Sequence, residues 1–288
     1  MTRFLVLGAH GQLGRDLCPR LQGEVIAVGR DRADLTQPQT IEAVLTEVQP
    51  HIVINCAAYN RVDQAESDPE AAFAVNAVGV RTLAAACGNL GCTLVHFSSD
   101  YVFGLGTNRT EPWQETDSPG PVSVYGLTKL AGEYFLRSLC PKHFVIRTCG
   151  LYGAWGVGGK GGNFVETMLR LQKQGKPLRV VSDQFCTPTY TVDLAEAVAN
   201  LTTTDKFGLY HLTNSGSCSW HEFASTIFAL QELAVQVAPI TSAEFGAQAQ
   251  RPAYSVLDDV AYRRLGLPAL RPWQDALAAY LRERSQRH

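Results

Sequence analysis

Apolar and polar residues follow a pattern in the first half of the chain that predicts strands and helices in turn. Five short apolar runs rich in β-branched residues predict strands, at 4–8, 24–29, 51–57, 93–99 and 143–148. These runs are almost continuously apolar, as in strands that are covered on both faces. Helical patterns lie between them, and such alternation is typical of right-handed βαβ units. The sequence therefore predicts an α/β fold with a doubly wound parallel sheet.

Two helix starts carry capping signatures. Thr36 and Gln39 have the spacing of a capping box, with Pro38 in the first turn of the predicted helix. Ser219 and Glu222 repeat that spacing before another apolar helical pattern. We therefore predict a helix after each of these two sites.

The composition of the sequence changes near residue 150, where glycine becomes frequent. The stretch LYGAWGVGGKGGN (151–163) is too rich in glycine for the interior of a helix or strand, and it predicts a loop. Alternating helix and strand patterns follow it, among them NFVETMLRLQKQG, LRVVSD, TVDLAEAVANL and LYHLTN. We predict one domain over 1–149 and a smaller lobe over 150–288, with some segments of the lobe returning to the main sheet.

Composition narrows the class of protein. The 288 residues are 45% hydrophobic and 18% charged, with a net charge of −2, which is ordinary for a soluble globular protein. No basic stripe indicates nucleic acid as a partner. We see no signal peptide and no apolar run of membrane-spanning length. The eight cysteines are scattered without a CxxC pair, which favours reduced thiols in a cytoplasm over disulfides or zinc.

The segment GAHGQLG follows the first predicted strand and begins a helix. Gly8 would permit the tight turn, Gly11 would let the backbone approach a pyrophosphate, and Gly14 would allow close helix–strand packing. A glycine-rich turn that binds nothing is the alternative. Because this turn lies in the first βα unit, we predict a Rossmann-type dinucleotide site and assign 1–149 to it.

The second strand ends at Gly29 and Arg30 rather than at an acidic residue. An arginine there can hold a 2′-phosphate, which favours NADP over NAD, although a merely exposed surface arginine is the alternative. Asp34 and Leu35 are candidates for the adenine pocket, and Asn76 is a polar anchor in an apolar helix. The predicted cofactor-binding residues are Gly8, Gly11, Gln12, Leu13, Gly14, Arg30, Asp34, Leu35, Ala57, Ala58, Tyr59, Asn76, Tyr125 and Lys129.

A candidate catalytic set follows the fourth predicted strand. Ser98, Ser99 and Asp100 lie at its carboxyl end, where ligands bind in open α/β sheets. Tyr125 and Lys129 stand four apart on a predicted helix, a spacing that alone describes many solvated helix faces. In this order along the chain they suit carbonyl reduction, with Tyr125 as the proton donor. We expect the Lys129 ammonium to lower the pKa of Tyr125 and Ser99 to hydrogen-bond the substrate carbonyl.

Other polar residues receive less specific interpretations. His10 lies in the glycine turn, where it can contact phosphate, and His96 lies inside an apolar strand, as a satisfied core histidine would. Cys149 and Cys186 border the predicted site, but no base is placed to activate either thiol.

Longer segments resemble the dTDP-4-dehydrorhamnose reductase family, within the extended short-chain dehydrogenases/reductases. The resemblance covers residues 3 to about 280, and its more specific motifs are VDQAE and DQFCTPTY. The segments that carry it are GQLG (11–14), INCAAYNRVDQAESDPEAAFAVNAVGV (54–80), SSDYVF (98–103), YGLTKLAGE (125–133), NFVETMLRL (163–171), VVSDQFCTPTY (180–190), YHLTNSGSCSW (210–220) and RPAYSVLD (251–258).

The resemblance implies reduction of a 4-keto sugar on a nucleoside diphosphate by NADPH, with NADH as the alternative, to give dTDP-L-rhamnose. It implies a substrate-binding role for most of 150–288, and a homodimer is the oligomeric state to test. The implied catalytic residues are Tyr125, Lys129 and Ser99, where Ser99 replaces the usual threonine. The implied substrate-binding residues are Ser99, Asp100, Tyr101 and Asn163.

Some positions depart from the family pattern. Gly104-Leu105 replaces the usual aspartate-glycine, and Tyr254 stands where asparagine is frequent. Gly150 stands where some members have a tryptophan that packs on the sugar, and Trp155 is a candidate to supply that ring. Asp16 and Asp193 lie near positions that bind magnesium in some relatives. Because the remaining ligands cannot be identified, we predict no metal.

Two other functions fit the same motifs. One is a nucleotide-sugar epimerase or dehydratase of the same superfamily. The other is a regulatory subunit that keeps the fold without catalysis, against which the presence of Tyr125, Lys129 and Ser99 argues.

Overall fold

A computed structural model describes residues 1–106, 108–156 and 162–287 of the chain. The strands are β1 (Arg3–Leu7), β2 (Glu24–Val28), β3 (Ile52–Asn55), β4 (Thr93–Ser99), β5 (His143–Thr148), β6 (Leu151–Tyr152), β7 (Leu178–Val181), β8 (Phe185–Cys186), β9 (Thr189–Tyr190), β10 (Gly208–His211), β11 (Cys218–Ser219) and β12 (Val237–Ile240). The α-helices are α1 (Gln12–Leu17), α2 (Pro38–Val48), α3 (Val62–Ser67), α4 (Pro69–Phe73), α5 (Val80–Leu90), α6 (Val124–Leu139), α7 (Phe164–Lys173), α8 (Thr191–Leu201), α9 (Trp220–Leu230), α10 (Ser242–Phe245), α11 (Val260–Arg263) and α12 (Trp273–Arg287). A π-helical segment, Ala74–Gly79, joins α4 to α5, and short 3-10 turns lie at Cys18–Arg20, Asp100–Val102 and Ala154–Gly156.

The main sheet is six-stranded, in the order β10-β5-β4-β3-β1-β2, and all its neighbouring strands are parallel. The chain runs outward from β1 to β2 and then returns to β3 on the other side of β1. Ligands bind such sheets at the carboxyl ends of the strands, beside this reversal. The predicted α/β fold with a doubly wound parallel sheet is confirmed.

The five strands predicted in the first half are all present, and β4 and β5 have the predicted bounds. From the second half, β10 pairs with β5 and so joins the main sheet. The predicted loop at 151–163 contains the two-residue strand β6 and one 3-10 turn, while 157–161 lie outside the described residues.

The two predicted capping sites differ in outcome. The Ser219 side chain accepts a hydrogen bond from the Glu222 amide and so caps α9 as predicted. The capping box at Thr36 is wrong, because α2 begins at Pro38 and its N-cap, Gln37, makes no side-chain cap. Thr36 instead donates its amide and its hydroxyl to Asp34, at 2.9 and 2.7 Å. A local turn at Asp34 therefore competes with the cap.

Apolar residues cover both faces of the main sheet. On one face, Leu17 of α1 and Leu194 of α8 are fully buried with Ile146. On the other, Ile41 of α2 and Leu83 of α5 are buried in a second cluster that includes Leu136 of α6. A third buried cluster joins α7, α9 and α12 and contains the aromatic residues Tyr152, Tyr190, Phe223, Trp273 and Tyr280.

One stretch among the described residues, Pro69–Leu90, is long and apolar enough by composition to cross a membrane, with a mean hydropathy of 1.4. The expectation that no apolar run has membrane-spanning length is therefore wrong for this stretch. Val80, Leu83, Ala84 and Cys87 on it are buried in the core cluster beside the sheet. In its most apolar window, 44% of the residues are buried inside the structure.

Two glycines let α6 pack very close to its neighbours. A Cβ at Gly126 would lie 2.2 Å from the Tyr101 carbonyl oxygen, and one at Gly132 would lie 2.3 Å from the Asn76 carbonyl oxygen. Both distances are far shorter than van der Waals contact, and both obstacles are backbone atoms. The position of α6 against the turn that follows β4 and against the π-helical segment therefore requires glycine at both sites.

We predict that Gly132→Ala lowers the free energy of unfolding by roughly 1–3 kcal/mol, because the new methyl group forces the backbones apart. This penalty exceeds the gain in helix propensity, which is about 1 kcal/mol. Urea unfolding measures the change. Ser138→Ala, at an exposed position of the same helix, is the control and should change stability by less than about 0.5 kcal/mol. Equal effects from both variants would contradict the packing argument.

Candidate active site

The glycine turn after β1 has the geometry that the sequence predicts. Gly8 adopts φ +68°, and a Cβ there would lie 2.8 Å from the Ala57 amide nitrogen. A Cβ at Gly14 would lie 2.6 Å from the Ala9 Cα. Gln12 and Leu13 begin α1 directly after Gly11, its N-cap. The turn therefore leaves backbone amides at the start of α1, next to the reversal of strand order, where a pyrophosphate fits.

At the end of β2, the Arg30 side chain is 76% exposed and pairs with Asp34 at 2.8 Å. Burial raises the pKa of Asp34, but hydrogen bonds from Thr36 and Arg30 outweigh it and leave the pKa lowered. Leu35 is buried in the core, so its side chain is closed to an adenine ring. Arg30 thus remains available to a ligand, whereas Leu35 contributes packing.

Residues 57–59, predicted to line the cofactor, follow β3, and Asn76 holds the last of them. The Asn76 side chain accepts a hydrogen bond from the Tyr59 amide and donates one to the Tyr59 carbonyl, both at 2.9 Å. It also donates to the Thr128 hydroxyl on α6, at 3.1 Å. Asn76 therefore anchors the backbone of Tyr59 to the helix that carries Tyr125, while the Ala57 amide donates to the Asn55 side chain at 3.1 Å.

Asp100 lies at the end of β4, but its carboxylate is fully engaged by protein groups. It accepts hydrogen bonds from the Ser99 hydroxyl at 3.0 Å and from the Ser255 hydroxyl at 2.6 Å. Burial raises its pKa, against the opposing effect of these bonds and of one from Cys149. In this structure the Asp100 carboxylate is thus a hydrogen-bond partner of Ser99, and its contact with the sugar stays a prediction.

Tyr125 lies near the start of α6, beside Ser99 and Tyr101. The Tyr101 and Tyr125 rings meet edge to face, with centroids 5.7 Å apart. Burial raises the pKa of Tyr125 to about 12, while a hydrogen bond from Ser99 opposes that rise. The structure therefore brings Ser99, Tyr101 and Tyr125 together at the carboxyl edge of the sheet.

Lys129 lies one turn further along α6 and is 2% exposed. Its ammonium donates to the Phe97 carbonyl oxygen at 2.6 Å. Burial lowers its pKa to about 8, against the opposing charge of Glu133. The expected lowering of the Tyr125 pKa by Lys129 is wrong for this structure, because burial of the phenol dominates and the ammonium is bound to Phe97.

An ion pair and a hydrogen bond that were not predicted join this site to distant segments of the chain. Arg251 forms a two-point ion pair with Asp63, at 2.8 and 3.1 Å, and also hydrogen-bonds Tyr101. Glu66 accepts a hydrogen bond from the Val124 amide at the start of α6. The motif VDQAE contains Asp63 and Glu66, and the motif RPAYS begins at Arg251. The motifs therefore mark these residues, but they do not indicate which partners the residues bind.

Asn163 and Trp155 lie beside the glycine turn. Asn163 caps α7 and donates to the Gln12 side chain and to the Gly153 carbonyl, both at 3.1 Å. Trp155 donates to Asp16 at 3.0 Å and lies between the guanidinium groups of Arg15 and Arg287. Both side chains are therefore engaged by protein groups. They connect Trp155 and Asn163 to α1 rather than to the edge of the sheet that carries Ser99 and Tyr125.

The remaining candidates have protein partners. His96 is buried as predicted and contacts Asn55 through Nδ1, while its Nε2 has no partner among the described residues. The Cys149 pKa is raised, first by a hydrogen bond with Cys186, so this thiol is not activated as a nucleophile. Asp193 pairs with Arg271 at 2.5 Å.

The sequence profile of the RmlD substrate binding domain matches residues 2–286. The spore coat polysaccharide biosynthesis protein SpsK of Bacillus subtilis is 42% identical, over 99% of both chains. A dTDP-4-dehydrorhamnose reductase of Streptomyces griseus is 41% identical, over 96% of this chain and 91% of its own. The crystal structure of a dTDP-4-dehydrorhamnose reductase from Bacillus anthracis, in complex with NADP, superposes with a TM-score of 0.92 at 39% identity, covering 98% and 100% of the two chains. The chain therefore belongs to the dTDP-4-dehydrorhamnose reductase family.

Proposed function

We propose that this protein reduces the 4-keto group of dTDP-4-dehydro-L-rhamnose with NADPH and so forms dTDP-L-rhamnose. The observation that carries the proposal is the placement of Tyr125 beside Ser99 at the carboxyl edge of the sheet, with Lys129 one helical turn further along α6 and bound to the Phe97 carbonyl of β4. Relatives at about 40% identity are named as reductases of this class, and one structural relative holds NADP. In this proposal 1–149 binds the dinucleotide and 150–288 mainly binds the sugar nucleotide.

The cofactor would supply a hydride to the keto carbon, and its pyrophosphate would lie on the turn at Gly8, Gly11 and Gly14. In this structure the Ser99 hydroxyl donates its one proton to Asp100. On substrate binding it would turn away from Asp100 and donate that proton to the carbonyl oxygen, and so favour negative charge there. Tyr125 would give that oxygen its proton. With a pKa of about 12, the phenol is protonated at neutral pH and is therefore ready to donate.

Lys129 would act on the product of the proton transfer. With a pKa of about 8, it is mostly an ammonium at neutral pH. This cation would favour the phenolate as it forms, against the burial that keeps the resting phenol protonated. The hydrogen bond from the Lys129 ammonium to the Phe97 carbonyl fixes the position of the ammonium beside β4.

We predict that Tyr125→Phe abolishes NADPH oxidation but leaves NADPH affinity within about twofold, because only the proton donor is lost. Tyr134→Phe, at an exposed position of the same helix, should keep full activity. The assay follows NADPH oxidation with dTDP-, UDP- and GDP-linked 4-keto-6-deoxy sugars. Substantial turnover by Tyr125→Phe would refute the proton-donor role.

The same assay separates the two alternative functions. A reductase consumes NADPH in proportion to sugar reduced, whereas an epimerase returns its cofactor unchanged. A regulatory subunit consumes none and alters the rate of another enzyme.

We predict that Arg30→Ala raises the KM for NADPH by roughly 10–100-fold, the cost of losing a hydrogen bond to a charged group. The KM for NADH should not change, because NADH lacks the 2′-phosphate. Arg32→Ala is the matched control, because it also removes one surface ion pair, with Glu47 at 2.7 Å, but keeps the arginine that we propose for the 2′-phosphate. Equal loss of both cofactors in Arg30→Ala would contradict the assignment of the 2′-phosphate to Arg30.

The proposal places the enzyme in the cytoplasm, with no nucleic acid or membrane as partner. Its buried, unpaired cysteines and its net charge of −2 support this setting. The relatives' names support a soluble biosynthetic role.

A homodimer is the oligomeric state that we propose. Val78, Leu127 and Tyr134 are large exposed apolar residues on the π-helical segment and α6, which pack together. We predict a sedimenting mass twice the chain mass of 31.4 kDa, and a shift to single-chain mass in Leu127→Glu. A wild-type chain that sediments at 31.4 kDa at all concentrations would refute the dimer.

A further inference from the structure

A buried ion pair lies directly behind the candidate active site. Glu133 of α6 is 1% exposed and Arg147 of β5 is 2% exposed. The guanidinium donates to both carboxylate oxygens, at 2.9 and 2.7 Å. The Ser98 hydroxyl of β4 donates to the same carboxylate at 2.5 Å. Glu133 therefore joins α6 to two neighbouring strands of the sheet.

The pair is held from its far side as well. His211 of β10 contacts the carbonyl oxygens of Trp113 and Asp258 through Nδ1, at 3.0 and 3.1 Å, so its proton lies on Nδ1. Its Nε2 then accepts from Arg147 at 3.5 Å. Burial lowers the pKa of His211 to about 3, so the ring is neutral. Arg147 is therefore fixed in place without a second negative charge.

Glu133 is next to the catalytic groups along both the helix and the strand. It follows Lys129 by one helical turn, so the two side chains lie on the same face of α6. Its partner Ser98 immediately precedes Ser99. The Lys129 contact with Phe97 and the Glu133 contact with Ser98 together fix the register of α6 on β4.

We infer that Glu133 is a positioning residue for the reaction: it fixes Lys129 and Tyr125 against β4 and supplies the negative charge that balances the Lys129 ammonium. The inference rests on the proposed function, since it acts through Tyr125 and Lys129. A buried ion pair alone is weak evidence for stability, because desolvation offsets most of its attraction. Its position beside the reacting groups gives it a second role.

The charged surroundings of Lys129 support this role. Glu133 faces it from its own helix, and His96 faces it from β4. Arg147 of β5 reaches it only through Glu133, and the π-helical segment packed on α6 presents Asn76, which does not ionise. Burial lowers the pKa of His96 well below its usual range, so this ring is neutral at working pH. Glu133 is therefore the acidic group that keeps Lys129 charged.

The test is Glu133→Gln, compared with wild type in the profile of kcat/KM against pH. We expect kcat/KM at neutral pH to fall by about 100-fold, as for a small misplacement of reacting groups. We also expect the basic limb of the profile to move to lower pH by about one unit or more, because Lys129 loses its neighbouring negative charge. Asp193→Asn, which breaks the remote ion pair with Arg271, should leave the limb where it is.

A double variant, Glu133→Gln with Arg147→Met, separates positioning from folding. It removes both buried charges, so its thermal unfolding should lie close to that of wild type. The inference requires that its kcat/KM stays low and its basic limb stays shifted. Recovery of both properties would overturn it, as would a wild-type profile in Glu133→Gln. Failure of both variants to fold would also overturn it, because the pair would then serve the fold itself.

Failure of the positioning role and failure of the proposed function can be distinguished. If Tyr125→Phe retains turnover, the proposed function fails whatever Glu133 does. If Tyr125→Phe is inactive while Glu133→Gln behaves as wild type, the function stands and the positioning role fails.

Discussion

The close approach of α6 to the turn after β4 and to the π-helical segment is the constraint on which the site depends. Gly126 and Gly132 remove the two Cβ atoms that would meet the carbonyl oxygens of Tyr101 and Asn76 in those two neighbours. That approach buries Lys129 and Glu133 and brings Tyr125 to Ser99. It also explains the polar contacts beneath the helix, because each buried polar group needs a partner in a space that water cannot enter. Packing and chemistry are therefore set by the same contact.

Much of the fold could be predicted because its signals are local. Continuous apolar runs predict buried parallel strands, and the glycine turn has a fixed spacing that backbone geometry requires. The helix cap at Thr36 failed because Asp34 offers a competing hydrogen-bond partner two residues away. Such competition is decided by small differences in free energy, which the sequence pattern does not contain.

The site was predictable in its order along the chain and unpredictable in its electrostatics. Ser99 and Tyr125 interact at the end of β4, and Lys129 of the same helix binds the Phe97 carbonyl of that strand, because strand ends and helix faces have known directions. The state of each group depends on partners far away in sequence. Ser255 binds Asp100 across 155 positions, and Arg251 binds Asp63 across 188. No local sequence pattern indicates such pairs. The Tyr125 pKa is also raised by burial of the phenol, whereas a lowered pKa was expected.

The carboxylate of Asp100 connects the end of β4 to two later segments of the chain. It accepts hydrogen bonds from Ser99 and Ser255, and Cys149 is a third partner. Gly150, next to Cys149, adopts φ +51°, and a Cβ there would lie 3.2 Å from the Trp220 ring. Glycine at this position therefore lets the Trp220 ring approach the backbone closely. Because β5 ends at Thr148, which pairs with Ser99, this departure from the family pattern lies at the same carboxyl edge of the sheet as Ser99.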